Sequence, residues 1–229
     1  MTEFLAALAI FLASHSIPAR PRTRAALVGI LGERFYIAIY ALISLALLGW
    51  LIVAARHAPY IPLWAPEPSL YWAPILVMPV ALFFLIGGTI IPNPLSVGFM
   101  ANRFDPKKPG LVGITRHPIL WGFVFWSACH VIPNGDLVSV ILFGGFAAFA
   151  LLAMPIIDRR KQRQLGLGWP DLARRTSVIP FWAMLRGPGS RAWPGHSFAM
   201  TAVITIIAYA ALLLAHATLF GPDPTIILF

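Results

Sequence analysis

The run from Phe35 to Ala55 carries no charged side chain and is long enough to cross the roughly 30 Å hydrocarbon core of a bilayer as one helix. Such runs recur near residues 71–91, 137–157 and 198–219, with shorter ones near 4–17 and 118–132. In lipid every backbone N–H and C=O must be paired within the chain, and segments of this length meet that demand as helices. The expected fold is therefore all-α, a polytopic membrane bundle of about six transmembrane helices. Composition agrees, because 59% of the 229 residues are hydrophobic and only 11% charged, against about 25% charged in an average soluble domain. The formal charge of +9 would suit nucleic acid. Here the cations fall into loops between apolar runs, so membrane orientation accounts for them and no nucleic-acid partner is expected.

The breaks between spans are equally legible. The first run ends in Ser14-His15-Ser16 and meets Pro18, Arg20, Pro21, Arg22 and Arg24, a basic turn; with Glu3 and no Lys or Arg before it, the run reads as a retained span and not a signal peptide. Prolines and aromatics between Arg56 and Leu70 make an extended interfacial segment. Gly87-Gly88 and Gly144-Gly145 mark expected close helix approaches, and Pro133-Asn134-Gly135-Asp136 a tight hairpin. Cys129 is the lone cysteine, which excludes an internal disulfide. Zinc spacing and a Gly-rich phosphate loop are absent from the sequence.

Positive charge sets the orientation. With six spans, sixteen of the seventeen lysines and arginines share one side and only Arg56 lies on the other. The positive-inside rule then places the large basic loops in the cytoplasm and both termini outside it.

The polar stretch that stands out is Gly113-Ile114-Thr115-Arg116-His117-Pro118, where a Pro/Gly-punctuated loop becomes an apolar run. Thr115 is suited to cap the helix start and Pro118 to its first turn. Four candidates approach the cytoplasmic rim: His15 ends the first span, Arg116 and His117 of this element begin the fourth, and Asp158 ends the fifth. His130 lies thirteen residues beyond His117, roughly 20 Å further along a helix, and so toward the outer side. At about 100° per residue it also points away from His117. His57, His196 and His216 lie in loops or near a span end and are set aside.

Two chemistries suit these residues. A pair of neutral imidazoles on separate helices, walled by apolar and aromatic groups, can clamp a haem iron while an arginine neutralises a propionate. His15 and His117 have matching depth, whereas His15 with His130 requires the first helix to be displaced. Alternatively, Arg116, His117 and Asp158 can hold a soluble charged cofactor at the membrane surface while a lipidic substrate enters laterally. Against both stands ordinary packing, in which Asp158 simply pairs with Arg159, Arg160 or Lys161.

The Phe11-Leu12-Ala13-Ser14-His15-Ser16 start, the Gly113 to Pro118 element, Trp126 with His130, and Gly135-Asp136 together resemble the NnrU family of bacterial inner-membrane proteins. The resemblance covers residues 1–182 as an NnrU-like membrane domain, leaving 183–229 as a cytoplasmic connector and the sixth helix. It implies a multi-pass protein of the bacterial inner membrane, a link to denitrification, and respiratory or denitrification membrane proteins as partners. Relatives of the family include the plant zeta-carotene isomerase, a haem b enzyme with histidine ligands. That implies haem b here, with His15, His117 and His130 as candidate iron ligands and an isomerase-like or redox activity on an apolar substrate. A second resemblance, carried by Arg116-His117-Pro118, Gly122 and the 166–180 segment, is to membrane methyltransferases of isoprenylcysteine, phospholipids or small thiols. It implies S-adenosylmethionine held by Arg116, His117 and Asp158, but Leu120 stands where a tyrosine is common and Asp158 where paired glutamates are typical. A non-catalytic factor for assembly of respiratory oxidoreductases is the third expectation.

Overall fold

A computed structural model describes residues 1–18, 20–96, 104, 109–186 and 196–227. Among these the chain is helical, and the one extended pairing is an isolated bridge between Pro62 and Asp136. The elements are α1 (Thr2–Ser16), α2 (Pro21–Leu31), α3 (Glu33–Arg56), α4 (Trp72–Ile90), α5 (Leu111–Ile114), α6 (Pro118–Asn134), α7 (Leu137–Leu165), α8 (Trp169–Arg174), α9 (Trp182–Arg186) and α10 (His196–Phe220). Each expected apolar run lies on a helix within a few residues of its sequence bounds. Arg103, Lys107, Lys108 and Arg191, four of the orienting cations, lie outside the described residues.

This is an integral membrane protein. Among the described residues four helical segments are long and apolar enough to cross a membrane: Glu33–Arg56, Pro68–Ile90, Leu137–Arg174 and Ser197–Phe220. The bent pair α1 and α2 makes a fifth when taken as one broken span, its two halves meeting at 80°. The two expected spans that fall short on length are the two the sequence marks as short, α1 with 15 residues and α6 with 17. Apolar side chains such as Leu42, Leu152, Ile206 and Leu214 project outward from the long helices, which in water would be unfavourable and in lipid is the expected surface.

The chain divides into two compact units, one of residues 1–64 with 136–142 and the other of 65–135 with 143–229. In the first, α1 packs along α3. Phe4, Ala7 and Leu8 are buried on α1, and Leu51 and Ala54 on α3. Trp50 Nε1–H donates to Glu3 at 3.2 Å and Tyr36 O–H to the Pro18 carbonyl at 3.3 Å. Pro21 opens α2 at its first turn, where a missing N–H costs nothing, so the basic stretch expected as a turn instead continues as a short helix.

The second unit is built on the packing of α4 against α6, with α10 against α4. Glycine permits the approach. A Cβ on Gly88 would lie 2.5 Å from Ile119 Cγ1 and 2.9 Å from its backbone nitrogen, and one on Gly122 would lie 2.6 Å from Leu85 Cγ and 2.9 Å from the Ala81 carbonyl oxygen. Gly144, expected to mark another close approach, has open space around it. Gly135, left-handed at φ 64°, ends α6 and turns the chain toward α7. At 29 residues α7 is roughly 44 Å long. It therefore runs well past Ile157, and Asp158 to Leu165 project as helix beyond the apolar run.

Candidate functional site

The polar residues of the second unit gather at the two ends of α6. At its start, Thr115 is extended, with φ −153° and ψ 144°, and interrupts the helical path between α5 and α6. The helix cap falls on His117, not on Thr115 as the sequence suggested. Thr115 bridges instead: its hydroxyl donates to the Val178 carbonyl at 2.7 Å and accepts the His117 N–H at 3.3 Å. The 177–181 segment lies alongside. Arg116 N–H donates to the Ser177 carbonyl at 2.9 Å, Phe181 N–H to the Ile114 carbonyl at 2.8 Å, and the Trp121 indole N–H to the Val178 carbonyl at 2.7 Å.

This backbone frame brings Arg116, His117 and Asp158 together. Arg116 Nε and Nη2 donate to the Asp158 carboxylate at 3.1 and 2.8 Å, a forked pairing, while Nη1 donates to the Thr176 carbonyl at 3.2 Å. The Trp169 ring lies 5.4 Å from the guanidinium carbon. His117, with no solvent exposure, hydrogen-bonds Asp158 Oδ1 through Nε2 at 3.0 Å and the Ser96 hydroxyl through Nδ1 at 2.7 Å. Asn93, also buried, donates to the Arg116 carbonyl at 2.9 Å and accepts the Leu95 N–H at 2.9 Å. Asp158 thus balances Arg116 and orients His117, and both nitrogens of that imidazole are engaged.

The other end of α6 is arranged differently. His130 Nδ1–H donates to the Trp126 carbonyl one turn back, at 2.7 Å, with Cys129 Sγ 3.4 Å from the same nitrogen, and among the described residues no hydrogen-bond partner engages Nε2. Its ring lies 5.3 Å from that of Phe143 and 6.5 Å from that of His216, 21° from parallel to the latter. His216 is fixed in the same manner, its Nδ1–H donating to the Pro222 carbonyl at 2.7 Å. Both line a cavity of about 300 Å³ whose walls include Trp126, Phe143, Tyr209 and Leu213. Sequence reasoning set His216 aside. The signal that finds it is depth, since in the six-span expectation the last apolar run ends on the side on which the fourth one ends.

His15 belongs to the first unit. Its Nδ1 bonds the Phe11 carbonyl at 2.8 Å, and its ring packs on Phe11 and Tyr40 with centroids 4.2 and 5.7 Å away. Among the described residues no three His, Cys, Asp or Glu side chains form a metal-ion cluster. The structure therefore joins Arg116, His117 and Asp158, and places His130 with His216. His117 and His130 have no hydrogen-bonding or ring partner in common.

Comparison with known proteins adds the family. The profile described as NnrU protein matches residues 3–224, further than the motif residues alone extend. The chloroplastic 15-cis-zeta-carotene isomerase of Arabidopsis thaliana is 31% identical over 163 residues, 69% of this chain and 44% of that protein. The Zea mays protein of the same name is 31% identical over 166 residues, with the same shares. The chain thus spans less than half the length of these curated relatives. No solved structure matches it.

Proposed function

The chain belongs to the NnrU family, and from that membership we propose that it is a haem b protein of the bacterial inner membrane with isomerase-like action on an apolar substrate. The reading includes six spans, with α1 and α6 as the short ones, both termini outside and the basic loops in the cytoplasm. It also includes the family's link to nitrite and nitric oxide metabolism. The observation that carries the proposal is the similarity to 15-cis-zeta-carotene isomerases across 69% of the chain.

The donor set fits the cofactor at two of the three expected histidines. A ligating imidazole characteristically donates its other N–H to a carbonyl or carboxylate, which fixes the ring and leaves a lone pair for the metal. His15 and His130 each have Nδ1 bonded to a helix carbonyl, leaving Nε2 as the ligating nitrogen. His117 does not fit, because taking iron would break its bond to Ser96 or to Asp158. When bound, haem supplies a redox-active iron able to polarise an adjacent double-bond system. The protein's part is to orient that iron through a fixed imidazole and to exclude water with Trp126 and Phe143.

Oxidised and dithionite-reduced absorption spectra test this, on detergent-purified protein made with haem precursor. A stoichiometric Soret band lost in His130→Ala or His15→Ala, and retained in a folded His117 variant, is the expected result. Folded protein without haem would overturn the reading. The convergence of Arg116, His117 and Asp158 favours the second reading, an S-adenosylmethionine-dependent methyltransferase. Saturable binding of that cofactor, lost in Asp158→Asn, is what it requires; the mutual bonding of the three groups argues against it.

A further inference from the structure

The cavity at the C-terminal end of α6 is lined by two oriented imidazoles. In both His130 and His216 the Nδ1 partner is a backbone carbonyl, which only accepts, so the hydrogen of each neutral ring sits on Nδ1 and Nε2 is a lone pair. Tyr209 spends its hydroxyl hydrogen on the Ile75 carbonyl at 2.9 Å and likewise has only oxygen lone pairs left. Three of the polar side chains on the cavity wall, His130, His216 and Tyr209, thus offer acceptors, alongside Trp126, Tyr71 and Asn134, which carry donors. The surrounding wall is aromatic and aliphatic, with Trp126 and Phe143 in edge contact at 5.3 Å. A volume of about 300 Å³ is at the lower end of the roughly 300–1,000 Å³ typical of small-molecule sites. That suits a single ring and not a whole lipid.

We propose that this cavity binds the hydroxylated aromatic ring of an apolar lipid, a phenol or hydroquinone with a hydrocarbon tail, and that His216 Nε2 accepts its O–H. The Nε2 lone pair of His216 calls for a donor on the ligand, and an oxidised quinone, which has carbonyls alone, cannot provide one there. The ring stacks among aromatic neighbours while its tail extends into lipid. The assignment goes beyond the haem reading and does not rest on it. A cavity that holds one ring does not also hold haem on His130, so the two readings compete for this site; with His130 free of iron it accepts a second hydroxyl.

The test is equilibrium binding of a radiolabelled decyl-substituted hydroquinone to the full chain in lipid nanodiscs, with empty discs as background. Its dimethyl ether and its parent quinone are the comparison ligands. Saturable hydroquinone binding is expected, about tenfold weaker for the ether, for the quinone and for His216→Phe, as for loss of one buried hydrogen bond. Leu213→Trp, which fills the cavity, should abolish it. Equal binding of ether and hydroquinone by the native protein overturns the proposal, and this comparison needs no variant to fold. So does unchanged affinity in a folded His216→Phe, or a Soret band lost in that variant, which would assign the ring to iron. A haem-free preparation that still separates hydroquinone from ether upholds the cavity while the haem reading fails; a haem-loaded one that does not separate them has the reverse meaning.

Discussion

The two ends of α6 carry the same residue type in opposite states. At its start His117 is fully buried with both ring nitrogens engaged, inside a cluster whose charges balance. At the other end His130 has one nitrogen fixed and one open, beside a cavity and a second imidazole in the same state. Buried polar groups that satisfy one another rigidify a fold, whereas groups that are oriented but incompletely satisfied are prepared to bind something else. The difference is the ground for proposing the His130, His216 cavity as the ligand site and for reading the Arg116, His117, Asp158 cluster as architecture.

Breaking the cluster should have the largest effect. Asp158→Ala removes the one carboxylate that serves both Arg116 and His117 and leaves a guanidinium uncompensated at a site only 12% exposed. A loss of about 3–5 kcal/mol is expected, read as a large fall in the thermal unfolding midpoint at fixed detergent. His117→Phe comes next, at about 2 kcal/mol, since it leaves the Ser96 hydroxyl and one carboxylate oxygen short of a partner. Gly122→Ala, midway along the helix, should cost about 1–2 kcal/mol by pushing α6 from Leu85 and the Ala81 carbonyl. His130→Phe is the contrast that sharpens the comparison. The same substitution thirteen residues later keeps the ring contacts with Trp126 and Phe143 and loses one hydrogen bond to the Trp126 carbonyl, which should cost about 1 kcal/mol or less while altering ligand binding. Equal destabilisation by the two His→Phe variants would erase the distinction.

Hydrophobic run length read most of the fold, because a bilayer imposes its thickness on every helix that crosses it. It read the long helices well and α2 poorly, since Pro21, Arg22 and Arg24 look like a break and Pro21 in fact starts a helix. The Arg116, His117, Asp158 group was visible as three residues at one depth. Their partners were not: Ser96, Asn93, Thr176 and Trp169 lie in loops or short helices whose course no periodicity reports. Thr115 had the composition of a cap, and lost that role because 177–181 offered its hydroxyl a better-placed carbonyl. His216 was missed for a different reason. A histidine near a span end resembles an interfacial anchor until the neighbouring helix end is known.

The bonds joining 114–121 to 177–181 also bear on how the molecule is made. Arg116 and His117 are synthesised some forty residues before Asp158 and about sixty before Ser177 and Val178. At roughly 5–20 residues per second, the mouth of α6 waits on the order of 2–8 s for its carboxylate and about 3–12 s for the strap that holds its backbone. During that interval the Arg116 guanidinium lacks its carboxylate, and His117 has the earlier Ser96 as a partner but not Asp158. Biogenesis thus has a built-in order, in which α7 must emerge and the ribosome must pass the 177–181 segment before the start of α6 can be locked in place.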